Sequence, residues 1–309
     1  MQAERAAGRF GQCLLGCVCA LLAACDTSAP ESAGPRFVDT PPAGQKPLYR
    51  MAVHPLHNPQ KLGEFYQPLI DYLNQNLPEA RFELEASRNY QAYEEKIRAR
   101  APEMLLPNPW QTLLAMDSGY GVIAMAGDAE DFRGIFIVRR DSTLQQPGEL
   151  KGKTIAYPSP TALAAAIMPQ FYLHRHGVAV TRDLDNRYVG SQESSIMSVY
   201  LNEAAIAATW PPPWRAFQRD HPREAAQLRV IWETPHLLNN SVMLRDDVPL
   251  ATRRKLQALL SDLATRPEGR PILGAMQTAR FHPADNASYE PVRQFIQRFE
   301  REVRPVVQP

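Results

Sequence analysis

Ser159-Pro160-Thr161 has the makings of a helix start that attracts anions. Serine is a favoured N-cap and proline a favoured first helical residue. In that register the backbone N–H groups of Thr161 and Ala162 point out of the helix end, where free donors and the helix dipole together draw an oxyanion. The same turn can also serve structure alone, with Ser159 contributing about 1 kcal/mol as a cap. Gly190-Ser191-Gln192-Glu193-Ser194 offers a second helix start. Ser191 and Ser194 can cap it, and Glu193 suits its first turn. Asn108 and Trp110 follow one short apolar run, and Trp210 follows Thr209 at the end of another. Two indoles facing across a cleft can sandwich an apolar or cationic group, or each can simply pack between lobes. Pro211-Pro212-Pro213 stiffens that rim. His54 can donate a hydrogen bond to an anion or be satisfied by turn backbone. Asn239, Asn240 and Ser241 can supply amide and hydroxyl contacts or close turns.

Other chemistries find less support. His54 and His57 make a possible metal half-site, but no acidic or histidine partner stands at ligand spacing nearby, and no metal or cofactor is expected. The chain has no Gly-x-Ser-x-Gly, no Gly-rich phosphate loop before Lys-Ser/Thr and no His-Glu-x-x-His. No spacing ties a serine to a histidine as nucleophile and base, so an enzyme is not expected.

The elements that must position these residues alternate. Leu48–Val53 is a predicted strand, and the spacing of Leu62, Phe65, Tyr66, Leu69, Ile70 and Leu73 predicts a helix. Arg81–Glu85, Glu103–Leu106, Val122–Ala126 and Gly134–Arg139 are further strands, with helices over Tyr90–Arg100 and Trp110–Ser118. The pattern then repeats. Thr154–Tyr157, Asn186–Val189, Ala204–Thr209, Leu228–Glu233 and Asn240–Leu244 are strands, and Ala162–His176, Ser194–Leu201 and a segment from Trp214 are helices. From Leu250 onwards the chain reads as mostly helical. The expected fold is α/β and two-lobed, each lobe a mixed, mostly parallel sheet flanked by helices. Residues 48–138 plus 235–309 form lobe 1 and residues 139–234 lobe 2. Two crossings, near Gly134–Arg139 and Trp232–Asn240, form a hinge with a ligand cleft between the lobes.

Ahead of this lies an apolar stretch, Gly11 to Ala24, preceded by Arg5 and Arg9 and followed by Cys25. It is too short to span a bilayer and has the order of an export signal. Cys13, Cys17 and Cys19 fall within it, so the mature chain keeps only Cys25 and no disulfide framework is available. The leader carries a net charge of one, which leaves a near-neutral mature chain from the total of +1. That argues against sequence-independent binding of nucleic acid. Residues 25–47, rich in Ser, Ala, Pro and Gly, read as a flexible tether.

Leu21-Leu22-Ala23-Ala24-Cys25 resembles a bacterial lipobox. The resemblance implies cleavage after residue 24, lipidation of Cys25 and tethering to a membrane facing the periplasm. Asp26 hints at the inner membrane.

The lobed layout resembles the type II solute-binding proteins of bacterial ABC importers, and among them the phosphate/phosphite/phosphonate-type binders. The residues that carry it are Met51-Ala52-Val53-His54-Pro55, Tyr90, Pro107-Asn108-Pro109-Trp110, Leu150–Ala156 before Ser159-Pro160-Thr161, Gly190–Ser194, Thr209 and Val230–Pro235. The resemblance covers about residues 48 to 290 and implies ligand contacts from His54, Tyr90, Asn108, Trp110, Ser159, Thr161, Ser191, Glu193, Thr209, Trp210 and Asn240. It departs from the family where a Ser-Thr-Ser turn would fall, since Ala162-Leu163-Ala164 follow here. In the family the acid matching Glu193 can face a ligand amine, but the strand before Thr209 lacks the second acid, so an aminoalkyl-phosphonate is not favoured. The implied partners are a small oxyanion and an ABC permease, with the protein a monomer that closes on its ligand. The competing expectation is a sensory domain, binding a metal or other small ligand and passing its closed state to a signalling partner.

Overall fold

Leu48–Val53 forms β1, and its last three residues, Met51 to Val53, are fully buried because the strand lies inside a sheet covered on both faces. The computed structural model describes residues 46–306. Cys25, the expected leader and all but the last two residues of the expected tether lie outside the described residues. After β1 come α1 (Pro59–Asn76), β2 (Arg81–Glu85), α2 (Tyr90–Arg98), β3 (Met104–Leu106), α3 (Pro109–Asp117) and β4 (Tyr120–Ala126). The chain then crosses to β5 (Ile135–Arg139), β6 (Thr154–Tyr157), α4 (Met168–Arg175), α5 (Val180–Asp183) and β7 (Asp185–Tyr188). Next are α6 (Gln192–Tyr200), β8 (Ile206–Thr209), α7 (Pro211–Asp220), α8 (Pro222–Ala225) and β9 (Leu228–Glu233). It returns through β10 (Ser241–Arg245), α9 (Leu250–Asp262), α10 (Gly269–Met276), β11 (Phe281–Pro283) and α11 (Glu290–Glu302).

Two sheets result, ordered β11-β4-β10-β3-β1-β2 and β7-β6-β8-β5-β9. In the first, β1 pairs parallel with β2 and β3, while β10 runs antiparallel between β3 and β4. In the second, β6 pairs parallel with β7 and β8, while β5 runs antiparallel between β8 and β9. Most strands of each sheet thus point one way, and the reversed interior strand of each arrives from the other lobe. β5 comes directly after β4 of the first sheet, and β10 directly after β9 of the second. The two crossings meet where Thr234 N–H donates to Gly134 O (2.9 Å) and Gly134 N–H donates to Thr234 Oγ1 (2.9 Å).

Several expectations shift. Ile135 already pairs in the second sheet, so the first crossing precedes the boundary expected after residue 138. Pro211–Pro213 form no separate stiff rim; they are the first turn of α7, where missing N–H groups cost nothing. The helix expected over Ala162–His176 begins as a π-turn, Leu163–Ile167, before α4. Pro169 explains the irregularity: it has no N–H to continue the ladder, and the π-turn instead closes wide bonds from Ile167 N to Ala162 O and from Met168 N to Leu163 O. β11, only three residues long, escaped the sequence reading.

One apolar cluster runs through both lobes, from Ala52, Tyr93 and Leu105 to Phe136, Ile155 and Ile206. The C-terminal segment reinforces that junction. Phe295 of α11 packs edge-on against Phe171 of α4 at 5.2 Å. Arg304 donates to Gln170 Oε1 (2.8 Å) and to Pro160 O (3.0 Å), holding the Ser159–Thr161 turn from behind.

Candidate functional site

Leu163, Ala164 and Ala165 head the π-turn, and their backbone N–H groups precede its first bonded donor, the Ala166 N–H that reaches Ala162 O. Among the described residues none of the three has a hydrogen-bond acceptor. The three residues line a small cavity of ≈ 10 Å³ between the lobes, about the room one water needs. From lobe 1 its walls include His54, Tyr90, Asn108 and Asn240; from lobe 2 they include Gln192 and Trp210. Asn240 Oδ1 is buried there without a donor.

Each lining group owes its place to local structure. His54 follows β1 directly and its Nδ1 lies 3.0 Å from Leu106 O at the end of β3. Burial pushes the imidazole down to about 4, so it is neutral at neutral pH. Asn108 caps α3 in a capping box with Gln111, and Pro109 occupies the first helical position. Its Nδ2 is left to donate across the cleft to Thr161 O (3.2 Å). Tyr90, the first residue of α2, accepts from Gln192 Nε2 (3.1 Å), and Gln192 Oε1 accepts from Thr209 Oγ1 (2.8 Å).

The Ser159 turn works differently from the expectation. The helical turn starts at Leu163, one residue after the predicted Ala162, and Ala162 rather than Ser159 sits at the cap position. Thr161 N–H is held by Ser159 Oγ (3.3 Å) and Ala162 N–H by Ser159 O (3.2 Å). The free donors are therefore Leu163, Ala164 and Ala165. Both hydroxyls are engaged: Ser159 Oγ and Thr161 Oγ1 are 3.0 Å apart, and Thr161 Oγ1 donates to Glu94 Oε1 (2.6 Å). Glu94 is 5% exposed. Burial raises its pKa, against the hydrogen bonds from Thr161 and Gln111 that favour the carboxylate.

His54, Tyr90, Asn108, Trp210 and Asn240 are brought together at the cavity, with Thr209 one bond behind it. Trp110 is not: it is buried in the apolar cluster, and Trp210 packs at a tilt against Phe132 at 5.4 Å, so these two indoles do not face each other across the cleft. Ser191 and Glu193 also lie outside, beside His57 and Asn58 at the cleft's outer edge. Ser191 caps α6 through Ser194 N–H (3.1 Å), and Glu193 pairs with Lys61 (2.9 Å) and His221 (3.1 Å). Burial would raise the Glu193 pKa, but Lys61 and His221 outweigh it and hold the carboxyl below its usual range. Lys61 also reaches Asp220 (3.1 Å), and Arg219 lies over the Phe65 ring at 5.2 Å. These contacts join α1 of lobe 1 to α6 and α7 of lobe 2.

Sequence reasoning passed over Gln192, Phe132 and Glu94. Gln192 sat between the two residues it selected; successive helical side chains diverge by about 100°, so Gln192 faces in where Glu193 faces out. The alanine run 164–166 was a usable signal, since small side chains at a helix start leave its backbone within reach of a ligand. Of the metal half-site, His57 packs against Phe65 at 4.7 Å, and among the described residues no group of three or more His, Cys, Asp or Glu side chains could hold an ion.

Residues 51–289 match the family described as ABC transporter, phosphonate, periplasmic substrate-binding protein. The phosphonates-binding periplasmic protein of Escherichia coli is 18% identical over 173 residues, covering 55% of this chain and 51% of the relative. The chain thus spans about half the length of that curated relative. Among solved structures, a binding protein component of an ABC phosphonate transporter from Pseudomonas aeruginosa superimposes with a TM-score of 0.75 at 17% identity, covering 84% of this chain and 88% of the other. PhnD1 from Prochlorococcus marinus, in complex with methylphosphonate, gives the same TM-score and identity over 82% of this chain and 98% of its own. With a matched segment that takes in both lobes and both crossings, the chain belongs to the phosphonate-type periplasmic substrate-binding proteins of ABC transporters.

Proposed function

We propose that this protein captures a small phosphorus oxyanion between its lobes and presents the closed form to an ABC permease. The observation that carries the reading is the trio of unpaired N–H groups at Leu163, Ala164 and Ala165, residues that line a cavity where the Asn240 Oδ1 also lacks a partner. Buried polar groups are nearly always paired, and a cluster of donors at a helix start suits an anion. The cavity's ≈ 10 Å³ is smaller than any phosphorus oxyanion, so the lobes part for the guest to enter. A compact anion such as phosphite, phosphate or methylphosphonate fits this wall better than a long alkyl-phosphonate, because Phe132, Leu163 and Trp210 already fill the space beside the donors. Tyr90, Asn108, Gln192 and Asn240 would contact it from both lobes. Ser159 and Thr161 would support the turn through Glu94. The family's place in the periplasm and the Leu21–Cys25 lipobox support a protein lipid-anchored at Cys25, with the inner membrane favoured by Asp26, and the two-lobed unit supports action as a monomer. Binding without turnover is the expected mode.

A thermal-shift series with phosphite, phosphate, methylphosphonate, sulfate and divalent metals tests this. A ligand at a hundredfold excess over its Kd should add about 2.7 kcal/mol, or roughly 5–10 °C in Tm for a domain of this size. If no phosphorus anion moves Tm while a divalent metal does, the sensory alternative takes its place.

A further inference from the structure

We propose that the cavity takes its anion with a proton still attached, as a hydrogen phosphonate or hydrogen phosphite monoanion, and that His54 is the residue that reads this proton. The inference rests on the oxyanion reading above and deepens it to a protonation state.

His54 is 2% exposed, and its Nδ1 lies 3.0 Å from Leu106 O. A carbonyl oxygen only accepts, so Nδ1 carries the hydrogen. In a neutral ring that leaves Nε2 as a bare acceptor. Among the described residues nothing donates to Nε2, and His54 lines the cavity. Asn240 Oδ1, in the same wall, is a buried acceptor without a donor. The site therefore sets backbone donors on Leu163, Ala164 and Ala165 beside two acceptors, His54 Nε2 and Asn240 Oδ1. A fully ionised anion satisfies the donors but sets its own lone pairs against the acceptors. A P–O–H group donates to Nε2 and removes that conflict; no proton needs to transfer. Sulfate and sulfonates match the shape but carry no such hydrogen near neutral pH. Leaving the acceptor unmatched in a buried site should weaken them by about ten- to a hundredfold.

The other titratable groups around His54 are few. Tyr90 of α2 lies edge-on at 6.4 Å, with burial raising its pKa. Glu94, one turn further along α2, is raised by burial, and His57 in the same turn as His54 is lowered to about 3, mainly by burial.

Calorimetric titration of the purified protein with methylphosphonate, phosphite and methanesulfonate, from mildly acidic to mildly alkaline pH, is the test. Methylphosphonate and phosphite should bind about tenfold or more tighter than methanesulfonate. Their affinity should fall as each loses its last proton, and the inflection should move with the ligand. Titration of Glu94 or any other protein group would instead hold it fixed. His54→Asn, which adds an N–H donor, should narrow the gap to methanesulfonate; if that variant does not fold, the wild-type series decides alone. Equal binding of methanesulfonate, or phosphonate affinity that stays level or rises with pH, overturns the inference and leaves the oxyanion site standing. Binding of none of the three overturns both.

Discussion

Glu94 decides what the hydroxyls of Ser159 and Thr161 are free to do. Its carboxyl takes the Thr161 hydroxyl hydrogen and a Gln111 amide hydrogen, so side chains that read as ligand contacts in sequence serve as a seam between lobes. Nothing in the residue types reveals this, because Glu94 and Thr161 are 67 positions apart. His54 was legible as a cavity residue, but not its tautomer, which the distant Leu106 carbonyl sets. Its burial carries a stability cost in acid. The folded pKa, about 4, lies below the ordinary 6.5, so as pH falls the unfolded chain takes up the proton first. Stability is then lost progressively from about pH 6.5 down to about pH 4, by about 3 kcal/mol for this one group. His57, lowered to about 3 mainly by burial, adds a loss of the same sign. Urea midpoints measured over this range should fall more steeply for the wild type than for His54→Asn; parallel curves would show that His54 is not the buried neutral base described.

At the scale of the element, the π-turn before α4 is the unit of function. The strand pattern and most helices were readable from periodicity, and Ser191 caps α6 as expected. The π-turn was not readable, because its start depends on Ser159 engaging the two N–H groups that should have opened the helix. Gly134, where the chain first crosses, leaves room for it. A Cβ there would lie 2.6 Å from Ala164 O and 2.9 Å from Pro169 Cγ. Gly134→Ala must push the π-turn toward the cavity or open the crossing. It should cost about 1–3 kcal/mol of stability in urea unfolding and weaken anion binding by a larger factor than the stability change alone explains. Unchanged calorimetric affinity in this variant would separate the π-turn from the site.

Over the whole molecule, the two lobes are held closed by their own side chains. Asn108 to Thr161, Thr161 to Glu94 and Gln192 to Tyr90 bridge the cleft inside, and Lys61 with Glu193 and Asp220 clasps it outside. The outer pairs are partly exposed, so each contributes at most about 1 kcal/mol and less in salt. Such a clasp permits reopening, which the small cavity requires of any guest. The two-lobed plan was visible in sequence from its repeated strand–helix order. The closed seam was not, since it is built from pairs between the halves. All of this converges on the backbone of Leu163, Ala164 and Ala165, whose amide protons can be followed by ¹⁵N-resolved NMR as phosphite or methylphosphonate is added. The account predicts that these three resonances move downfield together and become protected from exchange at saturation; saturable binding of either anion that leaves them in place would contradict it.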